Sequence, residues 1–95
     1  MIMKKPIIIP KEEISSVIFG KYDVLASIED RHTRKWQADR AVSLGNLFQQ
    51  KVKIVFENKA GDLQQIETTI WSVTEDYILI KGGRYLPLKS IQEIS

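Results

Sequence analysis

The sequence predicts an α+β fold: an N-terminal helix or helices, followed by a five-strand antiparallel meander curled into a small barrel. Three observations carry this expectation. Apolar residues recur at helical spacing up to Gly45, and the period changes from about 3.6 to about 2 from Lys51 onward. Turn-forming Gly, Asn, Asp and Pro divide the second half into segments too short for helices. The 95 residues, 43% of them hydrophobic, allow a single domain built on one core.

Residues 1–9 read as a flexible tail or an edge strand. The run of three isoleucines, Ile7 to Ile9, is bounded by Pro6 and Pro10 and is too short for a signal-peptide core or a membrane span. Residues 10–45 read as helical. "PKEEISSVIFG" begins with Pro10, carries Glu12 and Glu13 at the positive end of the dipole, and stops at Gly20. Asp23 is the expected N-cap of a second helix. At about 100° per residue, Val24, Leu25, Ile28, Trp36, Ala38 and Val42 share one side. Arg31, His32, Lys35 and Asp39 interrupt that stripe, so the region is one long helix or two helices separated by "EDRHTRK"; one long helix is preferred. Asp30 and Arg34, and Lys35 and Asp39, stand at i,i+4 spacing and support it. Gly45 is the expected left-handed residue that ends the helix, with Leu47 folding back on the last turn.

Residues 51–95 form the meander. In "KVKIVFEN", Val52, Ile54 and Phe56 face one way and Lys51, Lys53 and Glu57 the other. "NKAGD" turns into "LQQIETTIWSV", a strand long enough to bend across a barrel. "TED" turns again, "YILIK" and "RYLPL" form a hairpin, and "SIQEI" is the last strand. The glycines between Lys81 and Arg84 lead from strand to strand. A phosphate-holding glycine loop should instead open a helix. Gly82 and Gly83 therefore suit a two-residue turn at positive φ. That register pairs Ile80 with Tyr85 and Leu79 with Leu86, and sets Lys81 opposite Arg84.

The stretch from Leu44 to Ile94, with its "LGN", "KVKIVF", "ETTIW" and "IKGG" blocks, resembles a group of short uncharacterised bacterial proteins. These share an LGN…KVKI.F…ETT.W…LKGG..IP…I pattern, and no activity comes with the resemblance. The order of elements, a leading helix, a bent meander and a final I-x-x-I strand, also resembles the SH3-like and Sm-like small barrels, among them the bacterial Sm-type RNA chaperones. Ile91 and Ile94 keep the isoleucine spacing of that family's Y-K-H-A-I-S-T-I strands. Pro87, Leu88, Lys89 and Ser90 stand where the family has tyrosine, lysine, histidine and alanine. The arginine-glycine pair of the eukaryotic-type motif is absent. The resemblance implies RNA binding and assembly through strand edges.

Composition and motifs point away from catalysis. There is no cysteine, so neither disulfides nor thiolate metal sites enter. His32 is the single histidine and lies in the most charged segment. No G-x-S-x-G, H-E-x-x-H or calcium-loop pattern occurs. The neighbouring acids Glu12 and Glu13 diverge on a helix, and Glu75 and Asp76 read as turn residues. The expectation is a non-enzymatic, cytoplasmic protein with no cofactor, metal or membrane partner. Residues 31–53 carry Arg31, Arg34, Lys35, Arg40, Lys51 and Lys53 against Asp39 alone. Arg31, Arg34, Lys35, Lys51, Lys53, Lys81, Arg84 and Lys89 are the candidate polyanion contacts. Trp36 and Trp71 are the candidate interface residues. Trp36 is expected to be half-buried at the edge of the apolar stripe, and Trp71 to plug the end of the barrel or to stand exposed as an anchor. The function expected is a small binding or assembly module, acting by protein–protein contact or self-association through barrel edges. The alternative is an RNA- or DNA-binding Sm-like barrel using the basic 31–53 segment.

Overall fold

The fold is described from a computed structural model covering residues 5–95; Met1–Lys4 of the expected tail lie outside the described residues. The class is α+β, as expected. Strand β1 (Ile7–Ile8) is followed by a 3₁₀ turn (Lys11–Ser16) and a single long helix, α1 (Ile28–Phe48). Strands β2 (Val52–Glu57), β3 (Leu63–Thr68), β4 (Ile70–Val73), β5 (Tyr77–Ile80) and β6 (Arg84–Pro87) come next. A second 3₁₀ turn (Leu88–Ser90) leads into β7 (Ile91–Ile94).

Two expectations change. The helical half holds one α-helix rather than several, and "KEEISS" is a 3₁₀ turn. The strands form two sheets that do not close on each other, ordered β1-β3-β2-β7 and β4-β5-β6. β1 runs parallel to β3 and the remaining pairs are antiparallel. The long strand "LQQIETTIWSV" divides at Thr69. Thr68, Thr69 and Ile70 are all buried, so alternation fails there and the chain passes from the first sheet to the second.

Both sheets feed one core. Ile54, Phe56 and Ile66 enter it from the first sheet, and Ile70, Ile78, Ile80 and Leu86 from the second. Ile91 and Ile94 of β7 close it, and Phe19 leans on Phe56 with ring centroids 5.8 Å apart. The alternation expected of β2 holds, with Val52, Ile54 and Phe56 buried.

The inner face of α1 matches the expected stripe only in part: Ala38 is buried and Val42 packs against the core, but Trp36 and Ile28 are exposed. Its buried side consists of Arg34, Ala38, Ala41 and Gly45, at spacings of four, three and four residues. Trp36 is 60% exposed on the opposite side, and Ile28 and Leu47 are exposed too. Small residues occupy the inner face because α1 lies against β4. A Cβ at Gly45 would stand 2.6 Å from the Ile70 carbonyl oxygen and 2.9 Å from Thr69 Cγ2. Gly45 thus permits close approach and does not end the helix. The left-handed residue there is Gln49, at φ 51°, whose N–H donates to the Gly45 carbonyl. At the other end the N-cap is Ser27, whose hydroxyl accepts the Asp30 N–H at 3.0 Å. Asp23 is not the cap.

The hairpin also shifts by one residue. Gly82 and Gly83 do take positive φ, at 99° and 84°. The loop has three residues, however, and Ile80 pairs with Arg84 and Leu79 with Tyr85. The Gly83 N–H donates to the Ile80 carbonyl at 3.0 Å, with Gly82 at the position a type II turn reserves for glycine. Lys81 therefore does not face Arg84, and the expected like-charge pair does not form. Arg84 instead reaches the first 3₁₀ turn, its Nε donating to Ser15 Oγ at 3.1 Å.

Candidate functional site

Four of the eight basic residues singled out in the sequence come together. Arg31, Arg34 and Lys35 on α1 and Lys89 on the second 3₁₀ turn line a cleft of about 460 Å³. Glu75 and Asp76, in the turn before β5, line it as well, with Tyr77 and Pro87.

Arg34 does not belong to a solvated basic face. It is 7% exposed, and its Nη1 and Nη2 each donate to an Asp23 carboxylate oxygen at 2.8 Å. Nη1 also donates to the Ile91 carbonyl at 3.1 Å. Arg34 thus ties the segment before α1 to β7, and its i,i+4 pairing with Asp30 gives way to this fork. Arg31 Nε donates to the Leu25 carbonyl at 2.8 Å and lies 3.3 Å from Asp23 Oδ2. Partial burial pushes the Asp23 carboxyl up. The Arg34 hydrogen bonds, the Leu25 N–H and the charges of Arg34 and Arg31 outweigh that and hold it below its usual value. Lys35 pairs with Asp39 at 2.9 Å, the i,i+4 contact read from the sequence.

The other four are dispersed. Lys51 precedes β2, and Lys53 stands directly across from Glu67 of β3. Lys81 is exposed at the hairpin tip, and Arg84 is held by Ser15. Trp36 sits on the outer side of α1 with the Arg40 guanidinium 5.6 Å from its ring centroid.

Trp71 does not plug the core. It is 44% exposed, because the β4–β5 register slips between Ile70 and Ser72 and leaves Trp71 and Ser72 both outside. It shares the outer face of the second sheet with Tyr77 and Tyr85, which sequence reasoning missed. These are 47% and 60% exposed, and their rings meet edge to face at 6.3 Å. The signal was present: Ile78, Ile80 and Leu86 alternate inward, so Tyr77, Leu79 and Tyr85 must point out.

Another cavity, of about 560 Å³, lies between the first 3₁₀ turn and the β2–β3 turn, and is lined by Glu13 and Lys59 as charged groups. Among the described residues no group of three or more His, Cys, Asp or Glu side chains could hold a metal ion. No helix there is long and apolar enough to cross a membrane. Comparison with protein-family models, curated proteins and solved structures finds no match to this chain.

Proposed function

We propose that the chain is a non-enzymatic protein-binding module that docks its partner on the outer face of β4, β5 and β6. The observation that carries this is the exposure of Trp71, Tyr77 and Tyr85 on one sheet face whose alternate residues form the core. Aromatic side chains give large contact area for little conformational entropy, which is why they dominate binding hot spots. In this reading the two sheets are halves of a small SH3/Sm-like barrel. Support for that comes from β3 running into β4 across the single residue Thr69 and from the shared core.

A face is better supported than an edge. At β7, Arg34 donates to the Ile91 carbonyl and Gln37 Oε1 accepts the Ile94 N–H. α1 lies against β4, and the first 3₁₀ turn against β6. β1 stands between Pro6 and Pro10, which lack the N–H a further strand would need. Nucleic-acid binding has less support, since the basic side chains are split between internal pairs and separate surfaces.

The test is a photo-cross-linker, p-benzoylphenylalanine, placed at position 85 and, separately, at position 53, in the cells that make the protein. A specific protein adduct is expected from position 85 alone. With that partner purified, Trp71→Ala should weaken binding by about 30-fold. Equal adducts from both positions, or affinity untouched by Trp71→Ala, would overturn the reading.

A further inference from the structure

We infer that the cleft beside Tyr77 receives an extended stretch of the partner polypeptide carrying side chains of both charges. The inference rests on the protein-binding reading and names what the adjoining site selects. Tyr77 belongs to both surfaces: it lines the cleft and touches Tyr85 on the aromatic face, so a chain docked on the sheet runs into the cleft.

Basic and acidic groups enter the cleft from different elements. Arg31, Arg34 and Lys35 come from α1 and Lys89 from the second 3₁₀ turn, whereas Glu75 and Asp76 come from the turn before β5; the one acid on the basic side, Asp23, is taken up by Arg34 and Arg31. Among the described residues the three ion pairs, Arg31–Asp23, Arg34–Asp23 and Lys35–Asp39, leave the acidic turn out. Glu75, Asp76 and Lys89 take part in none of these three pairs, although they line one cleft. The acidic turn is held in place by its backbone. Thr74 Oγ1 accepts the Asp76 and Tyr77 N–H groups at 3.3 and 3.1 Å, and the Asp76 carbonyl accepts the Leu88 N–H at 2.8 Å. The turn is thus preorganised, which lowers the ordering cost of binding.

This pattern selects against ligands of one sign. A polyanion drawn to Arg31 and Lys89 meets Glu75 and Asp76, and a polycation meets the reverse. A segment with an acidic residue against Arg31 and Lys89 and a basic residue against Glu75 and Asp76 satisfies both. An apolar side chain between them would lie on Tyr77 and Pro87. The volume, about 460 Å³, suits a few side chains rather than a folded element.

The experiment titrates the ¹⁵N-labelled full chain with three synthetic peptides of about ten residues at physiological salt. One alternates glutamate and lysine with leucine between them, one replaces every charge with glutamate, and one replaces every charge with lysine. The mixed peptide should shift the amides of Arg31, Asp76, Tyr77 and Lys89, and should bind about tenfold more tightly than either single-sign peptide. Lys89→Glu and Asp76→Lys should each remove most of that advantage; both positions are exposed, and dispersed spectra would verify folding. Lys89→Gln, a milder change, should lower affinity for the mixed peptide without restoring the all-lysine one. The inference is overturned if the glutamate peptide binds as well as the mixed one, or if no cleft amide moves. A cross-link at position 85 combined with a silent cleft would sink this inference and leave the sheet-face reading standing.

Discussion

Asp23 and Arg34 show how much one pair of side chains can determine. Arg34 is buried by the core, and its guanidinium is kept there by the Asp23 carboxylate and the Ile91 carbonyl. Removing one partner of such a pair leaves an uncompensated charge, so Asp23→Asn should lower unfolding free energy by about 3 kcal/mol at neutral pH. Urea denaturation measures this, and Asp23→Asn combined with Arg34→Met should cost less than the sum of the two single changes. The pH dependence has a definite sign. Asp23 has a lowered carboxyl pKa in the folded protein. Its contribution is therefore complete above the unfolded value of 3.8 and disappears as pH falls through the lower folded value. The stability gap between wild type and Asp23→Asn should be constant from pH 7 to about 5 and narrow below about 4. A gap that stays constant down to pH 2 would show that the carboxylate charge does not matter. The sequence suggested a cap at Asp23 because its residue type and its place before an apolar run fit one. It could not reveal that Ser27 takes that role while two arginines, one helical turn apart, claim the carboxylate.

At the scale of elements, the legible features were those set by local alternation. β2, β5 and β6 and the positive φ of Gly82 and Gly83 follow from two-residue periodicity and glycine's freedom. Legibility failed where a neighbouring element decides. The inner face of α1 is chosen by closeness to β4, so Ala38, Ala41 and Gly45 turn inward and Trp36 outward, against a ranking by hydrophobicity. Gly45→Ala tests this. Alanine should gain about 1 kcal/mol from helix propensity. Its Cβ would meet backbone at 2.6 Å, however, and forcing α1 off β4 should cost about 2–4 kcal/mol. Net destabilisation is expected in urea titration, and a stabilised variant would mean that the helix can shift freely. The hairpin gives the opposite case. Gly83 has open space around it and only its φ of 84° to defend. Gly83→Ala should lower stability by about 1 kcal/mol, or about 4–8 °C in Tm, and Gly83→Asn by roughly half as much. Equal losses from the two would point to a contact at this position rather than a backbone preference.

For the whole molecule, the outcome of folding is that charge concentrated in sequence is dispersed in space. The composition of residues 31–53 advertised a basic patch, and Lys89 joins it at the cleft. Only the Lys35–Asp39 pair, one helical turn apart, could be read from the sequence; the pairing of Arg34 inward, Arg31 with Asp23 and Lys53 across from Glu67 could not, since each of those partners is chosen by tertiary geometry. The aromatic face was the more legible part of the candidate site, because Tyr77 and Tyr85 fall on the outward phase of strands whose inward phase is unmistakable. The two surfaces lead to different expectations for polyanions. A single-stranded nucleic acid laid on this molecule would neutralise at most two or three phosphates at once. Each contributes about −0.7 to the slope of log affinity against log salt, so a slope of about −2 or shallower is expected. Fluorescence anisotropy of a labelled mixed-sequence single-stranded RNA, followed from low to physiological salt, measures it. Affinity should be weak throughout, and Arg31→Ala should change it by less than about threefold, because it removes one partly exposed charge from a cleft that Glu75 and Asp76 also line. A slope steeper than about −4 would require five or more phosphate contacts. Such a result would mean that the scattered lysines act together on one strand, and it would restore nucleic acid as the partner.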